Sequence, residues 1–72
     1  MLEETLKEIR NLGYEVMWSY DEAIDTIHIR VRKGQKAYMR SIRANGDRQA
    51  NEFTMDVAIR TLVERMEKEN EH

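Results

Sequence analysis

His28, Arg30 and Arg32 stand at alternate positions in the stretch Thr26–Arg43, TIHIRVRKGQKAYMRSIR, which also holds Lys33, Lys36, Arg40 and Arg43 and no acidic residue. Six cations without an anion suit one of two contacts: the phosphates of a nucleic acid, with Tyr38 as a ring on which a base can stack, or an acidic protein surface. Charge of this kind also keeps an exposed sheet face soluble and guards edge strands against aggregation, with no partner involved. All 14 Asp and Glu residues of the 72-residue chain lie outside the stretch, and the formal net charge is −2. Dedicated nucleic-acid binders carry a basic excess over the whole domain. The expectation is therefore a local contact made by His28, Arg30, Arg32, Lys33, Lys36, Tyr38, Arg40 and Arg43.

Catalytic chemistry finds little to work with. A histidine acting as general acid or base needs a second group to orient it, and the side chains sharing a strand face with His28 in this stretch are arginines. The sequence shows no nucleophile–base pair and no pair of carboxylates on one face. With no cysteine, thiolate nucleophiles, thiolate metal sites and disulfides are excluded. The acidic run Asp21, Glu22, Asp25 lacks the alternating oxygen ligands and loop glycine of a calcium-binding hand. The chain is read as no enzyme, with no cofactor and no metal.

The elements that must position these residues follow from periodicity. Leu2, Leu6 and Ile9, flanked by Thr5 and Leu12, make one stripe of an amphipathic helix over about residues 2–12, stopped by Gly13. From Tyr14 the period becomes two, with Tyr14, Val16, Trp18 and Tyr20 on one face, which predicts a strand over 14–20. Trp18 and Tyr20 are expected inward, and Met17 on the other face beside the arginines. A turn at Asp21–Asp25 leads to a second strand over 26–33, with Ile27, Ile29 and Val31 inward and His28, Arg30 and Arg32 outward. A third strand spans 36–43. The polar connection Ala44–Asn51, with an Asn-Gly turn signal, is expected to be the mobile segment. A final helix over about 53–69 starts near Asn51 or Thr54; with Thr54 as cap, Phe53 and Ala58 take the positions of a hydrophobic staple. Met55, Ala58, Ile59, Leu62, Val63 and Met66 form its apolar face, and Phe53 and Val57 fall off it. The closing EKENEH has the composition of a disordered tail.

One ambiguity bears on the contact residues. A two-residue turn after Lys33 turns Tyr38, Arg40 and Ile42 inward; a three-residue turn turns Ala37, Met39 and Ser41 inward and adds Tyr38 and Arg40 to the outward cations. A one-residue slip exchanges the faces. An unpaired guanidinium driven into a core is costly, whereas an inward alanine and serine cost little. That balance favours the three-residue turn.

The expected architecture is α+β: α-β-β-β-α, a three-stranded antiparallel meander with two helices packed on one face, as a single domain over 1–72. This order resembles double-stranded-RNA-binding domains. That family grips phosphates with a lysine cluster at the start of its last helix, where this chain reads ANEFTMDVAIR, with Glu52 and Asp56 and no lysine. The runs Leu6-Lys7-Glu8-Ile9-Arg10-Asn11, Tyr14-Glu15-Val16 and Ile27-His28-Ile29-Arg30-Val31 resemble small phage-encoded inhibitors of the type II CRISPR nuclease. That likeness implies an anti-CRISPR type of function: an inhibitor acting by stoichiometric occlusion of a host protein or ribonucleoprotein. A nucleic-acid-binding regulator using the same face and a structural homodimer are the alternatives. No apolar run is long enough to span a membrane and the start MLEETLKEIR is no signal peptide, so a cytoplasmic monomer or homodimer is expected.

Overall fold

A computed structural model describes residues 1–46 and 51–70. The elements are α1 (Leu2–Asn11), β1 (Glu15–Asp21), β2 (Thr26–Lys33), β3 (Lys36–Arg43) and α2 (Glu52–Asn70), an α-β-β-β-α chain of the α+β class. The strands form one antiparallel sheet in the order β1-β2-β3. Both helices pack on the same side of it, and among the described residues nothing covers the other side.

The core lies between sheet and helices. Ile27, Ile29 and Val31 of the central strand are 1% exposed or less, against Ile59, Leu62 and Met66 of α2 and Ile9 of α1. The alternation in β2 and the broad stripe of α2 therefore meet as their spacing requires. α1 and α2 run side by side in the same direction. Leu2 N–H donates to Glu52 Oε1 at 3.0 Å at one end, and Tyr14 hydroxyl donates to Glu67 Oε1 at 2.8 Å at the other. Thr5, 1% exposed, accepts Arg60 Nη2 at 2.8 Å between them, and Arg60 Nε also donates to Asp56 Oδ2 at 3.0 Å. Asp56 Oδ1 is buried with no hydrogen-bond partner among the described residues, while the Thr5 hydroxyl acts on the carboxyl as a whole. That hydroxyl first, and then the hydrogen bond and charge of Arg60, hold the Asp56 carboxyl below the usual range, against the burial that opposes its ionisation.

The turn between β2 and β3 is the two-residue form, with Lys33 opposite Lys36 and Val31, Ile29 and Ile27 opposite Tyr38, Arg40 and Ile42. Gly34, at φ +62°, takes the first turn position, where a II′ hairpin needs a positive φ. This overturns the expected three-residue turn: Tyr38 and Ile42 pack against the core, and Ala37, Met39 and Ser41 join the uncovered face. The cost assigned to an inward arginine does not arise, because β3 is an edge strand. Arg40 lies on the helix side yet is exposed, its long side chain reaching water past the rim.

Other expectations also shift. Trp18 is on the helix side but 43% exposed, since β1 is the opposite edge of the sheet and among the described residues no further strand flanks it. Of the two expected starts of α2, Asn51 is the one observed: its Oδ1 accepts Thr54 N–H at 3.1 Å. The staple is therefore not formed, and Phe53 is 62% exposed. The helix runs over Glu52–Asn70, within a residue of the expected 53–69 at each end; Met66 is buried and Glu67 is tied to Tyr14, so the first residues of EKENEH are helical. The mobility expected of the 44–51 connection concerns in part residues 47–50, which lie outside the described residues, as do 71 and 72.

The uncovered sheet face as candidate binding site

Register assigns the uncovered face row by row. Across β1, β2 and β3 it reads Glu15–Arg32–Ala37, Met17–Arg30–Met39, Ser19–His28–Ser41 and Asp21–Thr26–Arg43. The outward direction of His28, Arg30 and Arg32 follows from the clean alternation of β2, which puts three buried aliphatics on the other side.

This face is less basic than the cation count implied. Arg32 Nη2 lies 2.9 Å from Glu15 Oε2, directly across the β1–β2 ladder. Of the remaining sequence candidates, Arg43 shares the face. Lys33 instead stacks its Nζ 4.7 Å above the Tyr14 ring, Lys36 sits opposite Lys33 at the turn, and Tyr38 and Arg40 belong to the helix side. Tyr38 lies under the Arg65 guanidinium, 5.4 Å from its ring centroid. The eight sequence-predicted residues therefore divide between two faces and a turn, and Tyr38 offers no ring to a base above the arginines.

At the centre stands a row that the sequence reading half anticipated. Met17 was expected beside the arginines and is 63% exposed; Met39, on the other flank of Arg30, is 69% exposed. Met39 was missed because the three-residue turn buried it. The signal was present in the alternation of Tyr38 and Ile42, both better core residues than Ala37 and Ser41. Comparison of the chain with family models, curated proteins and solved structures finds no match.

His28 has neighbours that its sequence context concealed. Its Nδ1 shares a hydrogen bond with Ser41 Oγ at 2.8 Å, and its Nε2 lies 3.7 Å from Asp21 Oδ2. Ser41, His28 and Asp21 thus fall in hydroxyl–imidazole–carboxylate order, which corrects the reading that only arginines surround the ring and that no nucleophile–base pair exists. The arrangement lies open on a sheet surface. Backbone N–H groups of a sheet lie in its plane and pair with neighbouring strands, so none points at a carbonyl resting above the row, and acyl transfer would lack its main stabilising device. Asp21 is beyond hydrogen-bond distance from the ring. The row orders the surface; it does not enclose a substrate.

The helix layer contains a groove of about 170 Å³ lined by Thr5, Glu8, Ile9, Leu12, Arg60, Val63 and Glu64. Small-molecule sites usually hold about 300–1,000 Å³, and Arg60 is already committed to Asp56 and Thr5. Among the described residues no group of acidic and histidine side chains is placed to hold a metal ion, and no helix is long and apolar enough to cross a membrane.

Proposed function

We propose that this chain is a small non-enzymatic binding protein that acts by stoichiometric occlusion of a host macromolecule, through the uncovered sheet face and against a protein surface. The observation that carries the reading is the Met17–Arg30–Met39 row, two exposed thioethers flanking a guanidinium that has no ion pair among the described residues. Methionine and arginine are enriched at the centres of protein interfaces, and methionine adapts to irregular partners. Small neighbours, Ala37, Ser19 and Ser41, keep the surface flat enough for close approach.

Charge argues against phosphate as the main contact. Glu15 offsets Arg32 and Asp21 lies beside His28, leaving Arg30 and Arg43 to act on a polyanion. Two neutralised phosphates give a log–log salt slope of about −2, against −5 or steeper for a protein making six or more contacts. The resemblance to phage inhibitors makes a type II CRISPR nuclease one target class to include in the assay.

The test is capture from a bacterial lysate by the immobilised wild type and by Met17→Asp/Met39→Asp, both folded by circular dichroism. The wild type is expected to retain a species that the variant loses and that nuclease treatment of the lysate leaves in place. Identical capture by both, or loss on nuclease treatment, overturns the reading.

A further inference from the structure

The two edges of the sheet differ in charge. β1 carries Glu15 and Asp21 and no cation, whereas β3 carries Lys36, Arg40 and Arg43 and no acid. β3 pairs with β2 along one side, and among the described residues no strand pairs with its other side. Cations on an edge guard against aggregation, but the placement of these is more specific. Arg40, opposite Ile29, lies on the helix side; Arg43, opposite Thr26, lies on the uncovered side. Neither has an ion pair among the described residues.

A flat partner on the uncovered face reaches Arg43 and not Arg40. A strand added along β3 alternates its side chains over both faces and reaches both. On the helix side the same edge presents the partly buried Ile42 and Tyr38, with Arg65 stacked on the latter. Apolar footing and cations therefore alternate along one free strand.

We propose that the β3 edge takes up an extended acidic segment of a protein partner as a fourth, antiparallel strand. This deepens the binding reading above and rests on it, while Arg40 lies off the face which that reading uses. Opposite Arg43, Ile42, Ser41, Arg40, Met39 and Tyr38, the incoming segment reads acid, apolar, any, acid, apolar, apolar. A second copy of this chain does not supply that pattern through β1. Glu15 and Asp21 share one face of their strand, whereas Arg40 and Arg43 lie on opposite faces, so a neighbour's β1 can meet only one of the two guanidiniums.

The probe is a labelled synthetic peptide carrying Asp-Ile-Thr-Asp-Ile-Val between glycine–serine spacers, titrated into the full chain at low salt by anisotropy, with amide exchange read in parallel. Binding is expected to slow exchange along 36–43 and not along 15–21. Arg40→Glu is expected to weaken it more than tenfold, and a lysine-for-aspartate peptide should prefer Arg40→Glu/Arg43→Glu over the wild type. Retention by Met17→Asp with loss in Arg40→Glu supports the edge; the reverse pattern overturns it and leaves the face reading standing. Absence of binding at low salt, equal binding of a scrambled peptide, protection along 15–21, or self-association with which the peptide does not compete each overturns the proposal.

Discussion

Tyr38 and Met39 are neighbours in sequence and lie on opposite faces, so truncating each in turn reads the register of β3 directly. Tyr38 is partly buried against the core and beneath Arg65. Taking about 100 Å² of its apolar surface as removed from water, at ~25 cal/mol per Å², gives about 2.5 kcal/mol. The Arg65 contact adds about 0.5 kcal/mol at a site this exposed. Tyr38→Ala is therefore expected to cost about 2–3 kcal/mol. Met39, 69% exposed, touches little, and Met39→Ala should stay within about 0.5 kcal/mol of the wild type. A chain of this length has roughly 4–11 kcal/mol to lose. Urea unfolding followed at 222 nm, with a slope of about 1 kcal/mol per molar, should move the Tyr38→Ala midpoint down by about 2–3 M and leave that of Met39→Ala almost in place. Equal shifts, or a larger one for Met39→Ala, would refute the two-residue turn and, with it, the Met17–Arg30–Met39 row.

Three further perturbations address the groups that hold the layers together. The Asp56 carboxyl is held below its ordinary value of 3.8 in the folded chain, so its ionised form stabilises the fold above pH ~4, and that contribution is lost as the pH falls through the lower, folded value; unfolding free energies measured from pH 2 to 6 should fall less steeply toward acid in Asp56→Asn. Tyr14 is 2% exposed, and burial first, then the hydrogen bond and charge of Glu67, push its hydroxyl from 10.0 up to about 12. The neutral phenol thus stabilises the fold below pH 10, an effect lost as the pH rises from 10 toward 12; absorbance at 295 nm should show a late step near pH 12 that disappears in Tyr14→Phe. Asp25, at φ +49°, accepts the Tyr20 hydroxyl and the Gly46 N–H, both at 2.8 Å. Asp25→Ala is expected to cost about 2 kcal/mol through two lost hydrogen bonds and a left-handed backbone, and Asp25→Asn less than half of that in the same urea experiment.

The fold was legible wherever one residue type repeated with one period. The alternation of β2 and the stripe of α2 fixed their faces without reference to anything distant, and their boundaries fell within a residue or so of the observed ones. What could not be read depended on position at an edge. Trp18 and Arg40 obey the sheet's alternation, but an edge strand lets a side chain on the inner face reach water, so burial cannot be inferred from parity alone. The same oversight chose the wrong turn: the cost of a buried guanidinium was charged to a residue that is not buried. Of the candidate site, the outward direction of His28, Arg30 and Arg32 was visible in the sequence. The partners that alter their chemistry, Glu15 on Arg32 and Ser41 and Asp21 on His28, come from neighbouring strands and appear only once the register is known.

The distribution of cations over these contacts separates two uses of charge. Arg60 is tied to Asp56 and Thr5 between the helices, Lys33 and Arg65 lie on tyrosine rings, and Arg32 pairs across the ladder. These four brace the fold, and each is answered by a group within the chain. Arg30, Arg40 and Arg43 have no such answer among the described residues, and all three belong to the β2–β3 half of the sheet, distributed over both of its faces. Exposed arginines of this kind contribute little to stability, and charged side chains on an edge strand discourage edge pairing. Solubility accounts for cations on the sheet face and edge protection for those on β3, Arg40 among them. A strand added along the β3 edge, as proposed above, would meet Arg40 and Arg43 together, whereas a partner resting on the sheet face alone would meet Arg30 and Arg43 and leave Arg40 unused.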